Sequence, residues 1–420
     1  MALILPAATS PVRSERMVFT KQRRPAHARR ENPPFGRDGK TSPTMSRCFR
    51  SARSYTRDLK VSSCLSTLLV LVWCIGCAAP VSPHHAATLS VYYATTRAVA
   101  SNPTTPEKAF AATTAEQRYV RYGRARVEIT SSGSRIVSFD PDVEAGTGLQ
   151  RGKFNEELRS QIGPRHPLIV YIHGYNNTFA AAAHRAAIFA SELQPDAARS
   201  PAIYSWPSAS KLFAYAKDEE SALLNQENIR RFLTGIHDDD VTTPVILIGH
   251  SLGARAMTYG LRDIFLFRAG AGIHAIDPRR PMFAHLVLLE ADVNRLYFRD
   301  NLLRAAALCG HITLYVSSRD RALEASTFVH GGYGRLGENP PHREDALLGS
   351  ILSAQIAKKI DIIDASAVRS DLFGHAYDQP VLFEDLRGII RGKSLAEREH
   401  HTLEKDPATG LYHLLPAPRA

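Results

Sequence analysis

Val245-Ile246-Leu247-Ile248-Gly249-His250-Ser251-Leu252-Gly253 is the stretch on which the fold turns. Its first four residues are a continuous apolar run, three of them β-branched, as expected of a strand buried on both faces. The residues after it, 252–267, carry apolar side chains at helical spacing. Between the two lies Gly-x-Ser-x-Gly. A strand that turns sharply into a helix forces the residue at the apex into strained backbone angles, and side chains two places either side would collide. Glycines at 249 and 253 meet that demand, and the turn lifts the Ser251 hydroxyl above the sheet edge. The backbone N–H of Leu252, at the helix N-terminus, then faces any negative charge forming on a bound carbonyl oxygen.

The neighbouring segments repeat the pattern outward. Residues 167–172 (PLIVYI) read as a central strand, followed by His173-Gly174-Tyr175-Asn176. A second oxyanion donor is expected from the loop after an earlier strand, which points to the backbone N–H of Tyr175, with Asn176 next. His173 is expected to fix this loop by hydrogen bonding rather than to react. Further strands are expected at 89–94, 118–129, 202–206, 284–289, 312–316 and 359–363. Helices are expected at 178–193 with Thr178 as N-cap, at 217–236 with Leu223, Leu224, Ile229, Phe232, Leu233 and Ile236 inward, and at 295–308. Residues 130–165 read as a polar loop region with one short helix. This alternation predicts an α/β class fold: a doubly wound, mostly parallel sheet in a single domain, without a large cap.

A nucleophilic serine needs a base and an acid that orients it, in the order Ser, Asp/Glu, His. His375, in Phe373-Gly374-His375, follows the 359–363 strand and is the candidate base. His285 and His311 begin strands at the opposite sheet edge, and His330 and His342 flank a Gly/Pro-rich stretch. Two acids compete at carboxyl ends of strands, Asp320 and Asp292. Asp320 holds the more usual place and Asp292 remains the alternative.

With these residues in place, the chain resembles a bacterial α/β-hydrolase family of unknown function. The segments that carry the likeness are Val91-Tyr92-Tyr93-Ala94-Thr95-Thr96-Arg97, His173–Asn176, Ser205-Trp206-Pro207-Ser208, Gly249–Gly253, Ser317–Leu323, Arg335-Leu336-Gly337 and Gly374-His375. The resemblance implies the α/β-hydrolase fold and a Ser/Asp/His apparatus carried by Ser251, Asp320 and His375. It implies no substrate, and it implies export or lipid anchoring. Tyr215 and Asp218 follow the Ser-Trp-Pro-Ser segment and are equally open to core packing, capping or a substrate role.

Charge and cysteines bear on location. The formal net charge is +11, but residues 1–76 hold fourteen Lys+Arg against four Asp+Glu, and the remainder holds 38 against 37. The rest is near neutral and has no electrostatic footprint for nucleic acid. Residues 1–44 are Arg- and Pro-rich without hydrophobic period and are expected to be disordered, with translation starting at Met45. Residues 65–76 (LSTLLVLVWCIG) follow a run of Arg and Lys, as in a signal peptide, and are too short to span a bilayer, which needs roughly 20 apolar residues. The run ends in Cys74-Ile75-Gly76-Cys77, similar to a bacterial lipobox with Cys77 as the lipidated residue, although Cys74 stands where Leu is usual. A plain secretory cut near Ala78-Ala79 is the alternative. The expected organisation is therefore an extension at 1–44, a signal peptide at 45–76, a linker at 77–88, a hydrolase domain at 89–390 and a tail at 391–420. Cys309 lies alone beyond residue 77 and is expected to be a buried, inert thiol.

The functional expectation is a serine hydrolase acting on a small-molecule or lipid ester in the cell envelope, membrane-anchored or periplasmic. No metal-ligand spacing and no Gly-x-Gly-x-x-Gly after a strand is present, so neither metal nor nucleotide cofactor is expected. Two other classes stay open: a non-catalytic envelope lipoprotein that uses the fold as a binding module, and an acyltransferase.

Overall fold

The computed structural model describes residues 87–115, 119–130, 133–141, 148–160, 167–194, 200–209, 214–237, 244–271, 280–338, 359–368, 379–408 and 410–416. The expectations for residues 1–44, for the signal peptide at 45–76, for Cys77 and for His375 lie outside the described residues.

The described strands are β1 (Ala87–Thr95), β2 (Arg97–Val99), β3 (Phe110–Thr114), β4 (Arg121–Thr130), β5 (Gly133–Asp140), β6 (Leu168–Ile172), β7 (Ala202–Ser205), β8 (Val245–His250), β9 (Phe283–Leu289), β10 (Cys309–Val316), β11 (Ile360–Asp364), β12 (Leu403–Lys405) and β13 (Tyr412–Leu414). The helices are α1 (Arg151–Ser160), α2 (Phe179–Leu193), α3 (Tyr215–Leu224), α4 (Gln226–Ile236), α5 (Leu252–Gly270), α6 (Arg295–Leu308), α7 (Arg321–Val329), α8 (Pro380–Ile390) and α9 (Leu395–Arg398).

Eleven strands form one sheet in the order β12-β13-β11-β10-β9-β8-β6-β7-β1-β4-β5, and β2 and β3 pair apart from it. From β13 to β1 all neighbours run parallel, while β12 and β4 run against their inner neighbours. The strands are apolar on both sides because both faces are covered. One core gathers Leu168, Val170, Ile172, Val245 and Leu247 with Phe154, Phe232 and Met257 from the helices. The other gathers Ile169, Tyr171, Ile246 and Ile248 with Phe179, Phe189 and Phe383. Each such side chain, fully buried, contributes about 1.5–3 kcal/mol. This is the α/β-hydrolase architecture that the sequence predicts.

Three local expectations are corrected. The polar stretch after Thr130 is not all loop, because β5 pairs antiparallel with β4 at the sheet edge. Only Ile136 of β5 is buried, so the apolar alternation that marks a strand is missing. The single helix expected over 217–236 is two, divided at Asn225. The Asn225 side chain turns inward, where Oδ1 accepts from Thr96 Oγ1 at 2.6 Å and Tyr204 Oη at 2.8 Å while Nδ2 donates to the Ser221 carbonyl at 2.8 Å. The restart shifts the helical phase, so Ile229, Phe232, Leu233 and Ile236 are buried as expected while Leu223 and Leu224 are 49% and 53% exposed. Finally, residues 391–420 are not simply a tail. They carry α9, β12 and β13, and β13 extends the sheet beside β11.

Thr178 caps α2 as expected, its side chain accepting from the Ala181 N–H at 3.0 Å. Cys309 is buried at the start of β10, and burial pushes its thiol up to about 12.

Candidate active site

Ser251 sits where β8 becomes α5, at φ 51°, ψ −122°. A non-glycine residue with positive φ costs of order 1–3 kcal/mol and persists only where the surroundings impose it. Here the Ser251 N–H donates to the Leu289 carbonyl at 3.0 Å, and the Ser251 carbonyl accepts from Asp292 N–H at 3.2 Å and Ala254 N–H at 3.0 Å. The flanking glycines are required by close approach. A Cβ on Gly249 would stand 2.8 Å from Ala254 Cα, and one on Gly253 would run into the carbonyl oxygens of Ile172 and His173. Leu252 opens α5, where the first N–H groups of a helix lack intrahelical acceptors.

The 173–177 loop lies directly against the serine. A Cβ on Gly174 would be 2.9 Å from Ser251 Cβ and 2.9 Å from His250 Nδ1. His173 is buried, stacked on Trp206 with ring centroids 4.9 Å apart, and its carbonyl accepts from Trp206 Nε1 at 2.9 Å. Its Nδ1 lies 2.9 Å from the Gly174 carbonyl and its Nε2 3.2 Å from Ser205 Oγ. A carbonyl only accepts, so Nδ1 carries the proton and Nε2 accepts from the serine hydroxyl. Burial and the nearby Arg97 charge lower the imidazole to about 3, so it is neutral at ordinary pH. His173 thus holds the loop.

Two charged residues grip the same loop, and the sequence reading gave neither this role. Arg97 is buried; its Nη2 donates to the Asn177 carbonyl at 2.8 Å and its Nε to Ser205 Oγ at 3.0 Å. Burial lowers its guanidinium to about 9, with Asp218 opposing. The Asp218 carboxylate accepts from the Asn176 N–H at 3.2 Å, the Ala209 N–H at 2.6 Å and the Ser208 hydroxyl. Burial nevertheless raises its carboxyl above the ordinary value. Ser208 Oγ in turn accepts from the Asn177 N–H at 3.1 Å. Asn176 itself has φ 55°. The signal for this clamp was present in the sequence as the Thr-Thr-Arg and Ser-Trp-Pro-Ser segments.

The two candidate acids occupy different surroundings. Asp292, after β9, is completely enclosed. Arg255 Nη2 lies 3.0 Å and Arg335 Nε 3.4 Å from Oδ1, Ser326 Oγ donates to Oδ1 at 2.9 Å, and the Tyr215 hydroxyl donates to Oδ2. Burial pushes this carboxyl up, but the two guanidinium groups and the two hydroxyls outweigh it and hold it below the ordinary range. Asp320 follows β10 and is buried as the N-cap of α7, accepting from Leu323 N–H at 2.9 Å. β10, which it follows, lies two strands from β8 in the sheet.

Other groups complete the surroundings. The Tyr175 ring packs edge-on against Tyr215 at 5.5 Å, and Tyr215 against His330 at 5.8 Å. His330 Nε2 lies 2.9 Å from Glu219 Oε1, and Glu219 also pairs with Arg255, so His330 belongs to this neighbourhood more closely than its position in the sequence suggests. His250 Nε2 stands 3.6 Å from Glu290 Oε2, both buried beside the serine. His285 and His311 face each other at the far ends of β9 and β10, with His311 Nε2 3.0 Å from Asp361.

A strained serine at a strand-to-helix turn, with a glycine loop pressed against it, agrees with the comparison to known families. Residues 149–381 match the family described as "alpha/beta hydrolase of unknown function (DUF900)". The chain belongs to this family. No curated protein matches it. Among solved structures it is similar to a Pyrobaculum calidifontis esterase, with 11% identity and TM-score 0.31 over 83% of this chain and 94% of that one. It is also similar to a puromycin-hydrolyzing peptidase of Mycobacterium tuberculosis, with 10% identity and TM-score 0.31 over 65% of this chain and 38% of that one. Among the described residues, no helix is long and apolar enough to cross a membrane.

Proposed function

We propose that this family member is a serine hydrolase of carboxylic esters, with Ser251 as nucleophile, Asp320 as the acid and His375 as the base. The backbone of Ser251, at positive φ between β8 and α5 with Gly174 against its Cβ, is the observation that carries this reading. Asp320 is preferred as the acid because Asp292 is already spent on Arg255, Arg335, Tyr215 and Ser326.

In the proposed cycle Ser251 Oγ attacks the ester carbonyl carbon while its proton passes to His375. The carbonyl oxygen takes the negative charge and is held by the N–H groups of Tyr175 and Leu252. The tetrahedral species collapses, and the leaving alcohol takes the proton back from His375. Water, deprotonated by the same histidine, then releases the acid from the acyl-enzyme. Turnover of a p-nitrophenyl ester panel tests this: Ser251→Ala abolishes it, and full turnover by that variant overturns the assignment. An acyltransferase would give transfer products when alcohols are added, and a binding module would give no turnover.

The place of action is proposed from the leader alone: export, with the mature chain anchored by lipid on Cys77. Its intact mass is expected to begin at a lipid-modified Cys77, and a mature protein retaining residues 45–76 contradicts it.

A further inference from the structure

The amide that would receive the oxyanion belongs to the Gly174–Tyr175 peptide, and a peptide unit is planar. Whatever fixes the Gly174 carbonyl therefore fixes the direction of the Tyr175 N–H at the other end of the plane. Two donors reach that carbonyl: His173 Nδ1 at 2.9 Å and Asn177 Nδ2 at 3.4 Å. Asn177 Nδ2 also donates to the Tyr175 carbonyl at 2.8 Å, which fixes the next peptide as well.

His173 is itself held in one orientation by a chain of hydrogen bonds with a single sense. Arg97 Nε has only a proton to give, so it donates to Ser205 Oγ at 3.0 Å. The Ser205 hydroxyl, its acceptor side occupied, turns its proton to His173 Nε2 at 3.2 Å. His173 Nδ1 is left to donate to Gly174. Arg97 adds a second hold through the Asn177 carbonyl, and Asp218 a third through the Asn176 N–H and, by way of Ser208, the Asn177 N–H. Arg97, Ser205, His173 and Ser208 are all buried. Arg97, at 2% exposure, gives four hydrogen bonds, to Ser205 Oγ and to the carbonyls of Ala111, Ser208 and Asn177, so its position is fixed from three segments.

We propose that Arg97, Ser205 and His173 form a buried relay that aims the Tyr175 N–H at the oxyanion, with Asp218 and Asn177 bracing the loop, so that all five are positioning residues for transition-state binding. This rests on the serine-hydrolase reading of Ser251. None of the five is required to touch substrate. Their effect falls on a species that exists only after attack, so the loss appears in kcat rather than KM.

The test uses the full chain with a p-nitrophenyl ester and an alkyl trifluoromethyl ketone, which forms a tetrahedral adduct with a nucleophilic serine. Ser205→Ala removes one hydroxyl and cuts the relay without changing charge. It is expected to lower kcat roughly 10- to 100-fold, less than or comparable to loss of a whole oxyanion donor. KM should stay within about twofold and the ketone inhibition constant should rise by the same factor as kcat falls. A role in folding alone would instead lower the thermal midpoint and leave the kcat of the folded fraction and the ketone affinity unchanged. If Ser205→Ala does not fold, Asn177→Ala, at a half-buried position of the loop, decides whether the aim of the Gly174–Tyr175 peptide matters: it removes both Nδ2 hydrogen bonds and is expected to show the same pattern. Wild-type kcat and ketone affinity in the folded variant overturn the positioning role proposed for these residues while leaving the hydrolase reading intact. A wild type that turns over no ester and binds no ketone overturns both.

Discussion

Asp292 and Asp320 look alike in sequence, each an aspartate just past a strand, and the structure gives them opposite consequences on substitution. Asp292→Asn removes the one carboxylate on which Arg255 and Arg335 converge, taking from buried Arg335 the carboxylate beside it and leaving Arg255 with Glu219 alone. Breaking a buried pair in this way costs about 3–5 kcal/mol. Asp320→Asn keeps a good helix N-cap, so stability should change little. If Asp320 orients the base, however, kcat should fall by as much as ~10⁴-fold. Denaturant midpoints and kcat of the two variants check this together. A stable, active Asp320→Asn with an inactive but stable Asp292→Asn would exchange the two roles. The sequence could rank these acids only by order along the chain. What separates them, the convergence of Arg255, Tyr215, Ser326 and Arg335 from four separate segments, is set by tertiary contact and leaves no local pattern.

At the scale of elements, the last two strands carry a prediction. Arg398 of α9 is buried, with Nη1 2.7 Å from Asp385 Oδ2 and Nη2 3.0 Å from Asp361 Oδ2. Thr402 and Tyr315 donate to the same Asp385 at 2.5 Å each. A chain ending at Arg391 should therefore lose about 3–5 kcal/mol as Asp385 and Asp361 lose the Arg398 charge between them. An unchanged denaturant midpoint would show that the segment is a tail after all. The central strands were legible because residues 168–172, 245–248 and 286–289 are short apolar runs, too brief for a helix and, at 245–248, rich in β-branched residues. Strands β12 and β13 are three residues each, too short to show a period. Strand β5 was hidden by its exposed edge, and the break at Asn225 by the good helical spacing on either side of it.

Over the whole molecule, two histidines, His173 buried and His285 half-buried, set a pH dependence. Burial, with Arg97 nearby, holds His173 at about 3, and burial, with His311 and Arg398 nearby, holds His285 at about 3. In the unfolded chain both titrate near 6.5. Between these values the unfolded state binds more protons than the native state, so stability falls as pH falls through that window. The slope is at most ~1.4 kcal/mol per pH unit for each group. Thermal midpoints should decline from pH 6.5 toward 4, and less steeply in His285→Gln; a flat profile to pH 4.5 contradicts it. In the proposed function, the whole sheet and its helices serve to present Ser251 as an activated nucleophile. The most direct measurement is reaction of the folded wild-type protein with a fluorophosphonate, followed by peptide mass spectrometry. One adduct is expected, on Ser251, absent from heat-unfolded protein and from Ser251→Ala. No adduct on folded wild type, or an adduct on another residue that survives Ser251→Ala, would contradict it.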